Sequence, residues 1–195
     1  SLKIRNQAVV GAEDNWLIGK LDKGKNSEYY KLGTVETPDG YELTDEKLTG
    51  TSSTPNYKTE LVYKPLEDNG VSNLYITTVG KSVNDMIDNV YDTFSKMVTS
   101  DEENPGTISE VKELDTASGT ARYFSYAYSR QNDTENGGTE TKYFQCLVCY
   151  VPANVKNSCV LVSVNVYPDS AEGFLSEDVL VAEAQKGIAV VSIDK

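Results

Sequence analysis

The chain of 195 residues is long enough for one domain with a sizeable core, and its 18 Lys and Arg against 30 Asp and Glu give a net charge of −12. This charge repels the phosphate backbone of nucleic acids, which are therefore not expected as partners. The sequence contains no histidine, which excludes Ser-His-Asp and Cys-His nucleophile pairs and histidine-based zinc sites.

The first residues carry weaker patterns than the rest of the chain. Short apolar runs at Ala8–Val10 and Trp16–Ile18 flank a polar turn, so a small hairpin is one interpretation. The polar stretch Asp22–Ser27 then predicts a link to the main domain. We therefore divide the chain into an N-terminal segment of undetermined structure, residues 1–29, and one main domain, residues 30–195.

The main domain opens with a predicted hairpin whose turn is Pro38-Asp39-Gly40, because proline fixes one turn angle and glycine tolerates a positive φ. Its second strand is Tyr41–Leu43, and the polar residues Asp45–Asn56 predict a loop. Two further strands, Thr59–Lys64 and Asn73–Val79, are expected to pair antiparallel.

The clearest helix is predicted after Ser82, which can cap the free amide groups at the helix start, while Asp85 complements the positive terminus. Apolar residues then recur at spacings of three and four. We expect the helix Ser82–Val98 to pack on the sheet through this stripe, whose members are Val83, Met86, Ile87, Val90, Tyr91, Phe94, Met97 and Val98.

An acidic run, Asp101, Glu102 and Glu103, follows this helix. Negative charge at a helix C-terminus is mildly unfavourable, and a bound cation such as calcium would relieve it. The run lacks the alternating aspartate spacing of calcium loops. It is a candidate cation site, although a solvated acidic loop is the favoured interpretation.

Four antiparallel strands are predicted next. The first two are Thr107–Leu114 and Gly119–Tyr128, and the last two form a central hairpin, Thr141–Tyr167, around the loop Pro152–Asn157. The second strand of this hairpin has the period of two expected of a strand with one buried face, because every other residue is a valine, namely Val160, Val162, Val164 and Val166.

A second amphipathic helix is predicted from Phe174 to Gly187, followed by a short extension, Ile188–Ile193. The fold class is therefore a single α+β domain, in which an antiparallel sheet of about six to eight strands is flanked by two helices. Its predicted energetic core consists of Val83, Ile87, Val90, Phe94, Phe144, Val148, Val160, Val162 and Val164.

The three cysteines, Cys146, Cys149 and Cys159, are an odd number, so at least one thiol stays unpaired within the chain. Their spacing is not a zinc pattern, and on a strand Cys146 and Cys149 point to opposite faces. If the valine face joins the face of Phe144 and Cys146, Cys149 lies opposite Cys159. Cys146 is then a buried free thiol, whereas Cys149 and Cys159 are neighbours on the outer face that either form a disulfide or stay reduced.

The order of these elements resembles the PsbP-like fold. The stretches that carry the resemblance are TVETPDGY at Thr34–Tyr41, the helix Ser82–Val98, SGTARY at Ser118–Tyr123, and the closing helix that ends in Ile188–Ile193. The match runs from about Tyr30 to the C-terminus and contains no catalytic fingerprint. It implies a bacterial lipoprotein that binds another protein without catalysis or a cofactor, located outside the cytoplasm at the cell surface or in the periplasm, and attached to a membrane only by an N-terminal lipid.

Two classes of function remain open. The first is this non-catalytic protein-binding module. The second is a carbohydrate-binding protein or a carboxylate-dependent hydrolase that uses Asp, Glu and the 13 Tyr, since glycoside hydrolysis needs only two carboxylates across a cleft. The many Tyr and polar loop residues favour a protein of the cell exterior. Because the sequence begins with Ser1 rather than Met, we also expect a processed chain that has lost a targeting segment.

Overall fold

The computed structural model describes residues 3–4, 15–23, 26–49, 57–155 and 157–195. Within these residues the chain forms a large mixed sheet and two α-helices, α1 (Val83–Val98) and α2 (Glu177–Ala189). The strands are β1 (Lys3–Ile4), β2 (Trp16–Lys23), β3 (Asn26–Val35), β4 (Tyr41–Thr49), β5 (Tyr57–Pro65), β6 (Asn73–Val79), β7 (Thr107–Ile108), β8 (Lys112–Thr116), β9 (Gly119–Asp133), β10 (Thr139–Pro152), β11 (Cys159–Val166) and β12 (Val191–Ile193).

The strands follow the order β1-β3-β2-β5-β6-β11-β10-β9-β7, with β12 also on β3, β4 on β5 and β8 on β9. Among the described pairings, the contact of Leu17 in β2 with Lys58 in β5 is parallel and the others are antiparallel. The α+β class is confirmed, with a sheet of mainly antiparallel character. Within the described residues the sheet is mixed and has 12 strands instead of about six to eight, because short strands line its edges and β2 joins it from the N-terminal segment.

Both faces of the central hairpin, β10 with β11, are buried. The face under α2 contains Leu147, Cys149, Val151 and the valines of β11. The face under α1 contains Cys146, Val148, Tyr150, Cys159 and, from β9, Phe124. Each helix therefore closes one of two separate apolar clusters, and the sheet lies between them.

The register of this hairpin differs from the predicted one. Cys149 lies opposite Val162, and Cys159 lies opposite Pro152. The predicted pairing of Cys149 with Cys159 is therefore wrong, and so is the disulfide that depended on it. All three cysteines are buried free thiols. The prediction failed because both faces of β10 are apolar, so alternation does not determine which of them joins the valine face of β11.

The two helices begin at serine caps. The Ser82 hydroxyl accepts from the Asp85 amide at 3.2 Å, as predicted for α1. The second helix begins after Ser176, not at Phe174, and it continues past Gly187. Gly187 was predicted to end the helix, but it serves a close approach to the sheet. A β-carbon there would lie 2.8 Å from Cγ1 of Val162.

The predicted turn at Pro38-Asp39-Gly40 is present, with the Tyr41 amide donating to the Pro38 carbonyl at 3.1 Å and Gly40 at φ +80°. The strands on either side do not pair with each other, since β3 pairs with β1, β2 and β12 and β4 pairs with β5. The predicted hairpin is therefore wrong. The second strand extends to Thr49, into the predicted loop Asp45–Asn56, whose residues 50–56 lie outside the described part of the chain.

Part of the N-terminal segment belongs to the sheet. Leu17 in β2 is fully buried in the core. Trp16 is partly buried, and the Nζ atom of Lys31 lies 4.4 Å from the centroid of its ring. The other predicted strand of this segment, Ala8–Val10, lies outside the described residues.

Candidate functional site

Five aromatic rings form a continuous row on the α1 side of the sheet. We call this feature the aromatic row. Its members are Phe94 of α1, Tyr126 and Tyr128 of β9, Phe144 of β10, and Tyr167, which follows β11 directly.

Strand alternation and register bring these rings together. Tyr126 and Tyr128 are two residues apart in β9, so both project from the same face. Phe144 lies opposite Tyr128 in the β9–β10 ladder. The pairing of Gln145 with Val166 in the next ladder sets Tyr167 beside Phe144. The sequence showed the alternation of Tyr126 and Tyr128 in β9. Their contact with Phe144 and Tyr167, however, depends on the observed register of the ladders.

The rings lie mostly face to face. The centroids of Phe94 and Tyr126 are 5.1 Å apart at an interplanar angle of 19°. Tyr126 and Tyr128 are 6.2 Å apart at 25°, and Tyr128 and Phe144 are 5.1 Å apart at 19°. Tyr167 meets Phe144 edge-on at 5.8 Å and 75°. Four rings therefore stack on one another, and Tyr167 closes the row at an angle.

The row is partly open to solvent. Four of its side chains are partly buried, and Tyr167 is 51% exposed. Neighbouring rings cover part of one another's surface, and the row ends in one accessible ring, that of Tyr167.

The row carries no charge of its own near neutral pH. Burial, followed by the proximity of Cys146 beneath the row, raises the pKa of the Tyr126 hydroxyl. Burial also raises the pKa of the Cys146 thiol to about 12, and its hydrogen bond with Tyr126 offsets part of this rise. Burial likewise raises the pKa of the Tyr167 hydroxyl. Both hydroxyls and the thiol therefore stay protonated, so the row is an uncharged, amphipathic surface.

Charged groups lie beside the middle ring of the row, Tyr128. The Arg130 guanidinium lies over the Tyr128 ring, 5.3 Å from its centroid. A shallow depression of about 300 Å³ is lined by both of these residues together with Asp101 and Glu103. The fold therefore brings two members of the predicted acidic run next to the aromatic row.

The acidic run itself is exposed, and Asp101 is engaged in its own turn. One oxygen, Oδ1, accepts hydrogen bonds from the amides of Glu103 and Asn104, each at 3.0 Å. In the part of the chain that the structure describes, no three Asp, Glu or Cys side chains are grouped so that they could hold a metal ion. Asp101, Glu102 and Glu103 thus contribute negative charge beside the row.

One carboxylate within the described residues, Glu183 of α2, is buried. The Tyr41 hydroxyl donates to its Oε2 at 2.6 Å, and Asn69 is within 3.5 Å of the same atom. Nζ of Lys186 lies 3.0 Å from its Oε1. Burial and then the bond to Glu183 raise the pKa of the Tyr41 hydroxyl. Since donors occupy both oxygens, Glu183 fastens α2 to the start of β4.

Among the known proteins compared, similarity to this chain is found with solved structures. No protein-family model matches this chain, and no curated protein matches it. Two solved structures are similar over most of their length. Cyanobacterial PsbP (CyanoP) from Synechocystis sp. PCC 6803 is 11% identical, with a TM-score of 0.36, and the match covers 95% of this chain and 96% of that one. LpqN, involved in cell envelope biogenesis of Mycobacterium tuberculosis, is 13% identical, with a TM-score of 0.36 and 92% coverage of both chains.

The first of these structures is a PsbP protein, so the resemblance predicted from the sequence is found again among solved structures. At TM-scores of 0.36 neither likeness carries an argument about the activity of this chain. No helix of the described residues has the length and apolar character needed to cross a membrane.

Proposed function

We propose that this chain is a non-catalytic, extracytoplasmic module that binds another protein through the aromatic row. The observation that carries the proposal is the row itself, which ends in the 51% exposed Tyr167 and has Arg130 over Tyr128. Tyrosine and arginine are enriched among the residues that dominate the energy of protein interfaces. Attachment to a membrane by a lipid stays a prediction of the family resemblance.

The charges around the row favour a partner with basic groups. The acidic groups Asp101 and Glu103 share a depression with Tyr128, and the whole chain has a net charge of −12. A lysine or arginine of the partner would interact both with these carboxylates and with an aromatic ring. The partner therefore combines an apolar contact surface with positive charge at its rim.

Two features weigh against the alternative functions. A sugar-binding platform needs ring faces that are free to stack on the sugar, whereas four rings of the row stack on one another. A carboxylate-dependent hydrolase needs an acid or base that faces its substrate, and the buried Glu183 does not supply one, since donors occupy both of its oxygens. Protein binding needs neither feature.

The experiment compares affinity capture from extracytoplasmic extract of the source organism by the wild-type chain, by Tyr167→Ala and by Arg130→Ala. Leu66→Ala is the matched control, because Leu66 is also exposed, at 63%, and lies outside the row. We expect one discrete protein to be retained by wild type and control, and its retention to fall at least about tenfold in the row variants, since interface hot spots contribute about 2 kcal/mol or more.

A screen of the same chain against immobilised glycans and glycoside substrates completes the experiment. Saturable glycan binding, or turnover that a single carboxylate substitution abolishes, would replace the proposal by the alternative class. Equal capture by Tyr167→Ala and by the control would show that the row is not the binding surface.

A further inference from the structure

A second candidate surface lies on the α2 side of the sheet, opposite the side that carries the aromatic row. It is a cleft of about 540 Å³ between the turn after β8 and the strand β12. The C-terminal turns of α2 and the end of β10 contribute Ile188 and Val151 to its apolar lining. We call this feature the β12 cleft. Its volume is within the range of about 300–1,000 Å³ that is typical of ligand sites.

The backbone of β12 presents unpaired groups along one edge. The Val190 carbonyl accepts from the Glu36 amide at 3.0 Å, and the Asp194 amide donates to the Leu32 carbonyl at 2.9 Å. Residues 190, 192 and 194 therefore direct their hydrogen bonds toward β3. In an antiparallel ladder the residues between them direct theirs away. Val191 and Ile193 thus offer N–H and C=O groups on the outer edge, where no strand pairs with them among the described residues.

The longer free edge of β4 is protected. Its residues 42–47 are exposed and include Glu42, Asp45, Glu46 and Lys47, and two bulges interrupt its pairing with β5. Charge, bulges and short edge strands all limit strand addition. The outer edge of β12 is short, at three residues, but it carries no charged residue and its register with β3 is regular.

The lining of the cleft is neutral in a strongly acidic protein. Its charged residues are Asp115 and Lys195, one of each sign, against −12 for the whole chain. The exposed side-chain amides of Asn154 and Gln185 also line it. The features of the cleft suit an uncharged extended peptide. The free strand edge can bond to the peptide backbone, and the apolar residues and side-chain amides can contact its side chains.

We propose that the β12 cleft binds an uncharged, extended peptide segment of a partner, which pairs with β12 as an additional strand. The segment packs its side chains against Ile188, a partly buried residue of the cleft lining. Its backbone exchanges hydrogen bonds with Val191 and Ile193. This site is separate from the aromatic row and does not depend on the function proposed for it.

The test uses the full chain and the capped peptide acetyl-Thr-Val-Thr-Val-Thr-amide. Two control peptides have the same side chains, one N-methylated at both valines and the other N-methylated at the three threonines. Only one edge of an added strand faces β12, so one methylated peptide should lose binding and the other should keep it. Binding is followed by the amide NMR shifts of Val191 and Ile193. At peptide concentrations about ten times the Kd, their hydrogen exchange should slow about tenfold.

A protein variant tests the same edge from the other side. Ile193→Pro removes an N–H that does not bond to β3, and Ile193→Val is its matched control. We expect the peptide-induced shift of the Val191 amide to disappear in the proline variant, which has no amide proton at residue 193, and to persist in the valine variant. If the proline variant does not fold, the two N-methylated peptides still test whether the added strand pairs with β12.

Three results would overturn the proposal. The first is no change at Val191 and Ile193 with about 10 mM peptide, well above the millimolar Kd of a weak contact. The second is equal binding of both methylated peptides. The third is a shift of these two amides with protein concentration alone, which would assign the edge to a second copy of the chain.

Discussion

At the scale of single residues, Phe124 has the largest side chain among the fully buried ones of the described chain. It contacts Tyr91 edge-on at 5.1 Å and lies under α1. Phe124→Ala should therefore lower the free energy of unfolding by about 3–5 kcal/mol, because it removes buried apolar area and leaves a cavity. The measurement is denaturant unfolding, in which the midpoint should fall while the m-value stays unchanged.

Phe144→Ala is the natural comparison, because the sequence placed Phe144 in the core and the structure shows it partly exposed in the aromatic row. Its loss should be roughly half that of Phe124→Ala, since less area leaves water on folding. An equal or larger loss for Phe144→Ala would show that the row is packed more tightly than its exposure indicates.

The three thiols predict a dependence of stability on pH. Burial raises the pKa of Cys146, Cys149 and Cys159 from the ordinary value of 9.0 to about 12. Between these values the unfolded chain loses protons that the folded chain keeps, so the free energy of unfolding falls as the pH rises. Each thiol should contribute about 1.4 kcal/mol per pH unit to this slope.

Cys149→Ala isolates one thiol, because buried tyrosines contribute with the same sign in both proteins. Its unfolding free energy, measured between pH 9 and 10, a window inside the pKa shift of Cys149 from 9.0 to about 12, should fall less steeply than that of the wild type. Parallel slopes would mean that the Cys149 thiol ionises as readily in the folded chain as in the unfolded one.

At the scale of elements, the contact of α2 with the sheet depends on Gly187. Alanine is about 1 kcal/mol better than glycine in a helix interior, but its β-carbon would lie 2.8 Å from Cγ1 of Val162 and 3.2 Å from Cδ2 of Leu74. Valine is stiff at χ1 and Val162 is fully buried. Overpacking of this kind costs about 1–3 kcal/mol, so Gly187→Ala should destabilise on balance.

Thermal unfolding of Gly187→Ala would check this, with Ala182→Gly at an exposed position of α2 as the control for helix propensity alone. The control should cost about 1 kcal/mol. A stabilised Gly187→Ala would mean that α2 has room to move away from the sheet.

Elements with local signals could be predicted, and those without them could not. The cap at Ser82 and the stripe that follows it belong to one stretch of chain, so α1 was placed correctly. The end of α2 could not be predicted. Gly187, which suggested it, instead allows a close approach to Val162 of β11. The hairpin register failed for a related reason, since both faces of β10 are apolar and only the packing of two helices distinguishes them.

At the scale of the whole molecule, β2 joins part of the N-terminal segment to the core. Leu17 is fully buried within the cluster under α2. Leu17→Ala should therefore cost about 2–5 kcal/mol and lower the midpoint of a single cooperative transition. Leu66→Ala, exposed at 63%, should stay within about 0.5 kcal/mol of wild type. Two separate transitions in Leu17→Ala would instead show that β2 unfolds independently of the main sheet.

The class of fold followed from the sequence, but the candidate site did not. Alternating Tyr126 and Tyr128 were visible in β9, and Phe94 lay on the apolar stripe of α1. Their meeting with Phe144 and Tyr167 requires three ladders in one register, and that register depends on long-range packing. The acidic run was identified as a group of charges, but its position beside Tyr128 follows only from the fold.

The enclosed thiols bear on how the protein is made. All three cysteines are buried and unpaired, so the native state contains no bond that a thiol oxidase must form or a disulfide isomerase must correct. The native state of the described residues therefore requires no disulfide, whether the surroundings are reducing or oxidising.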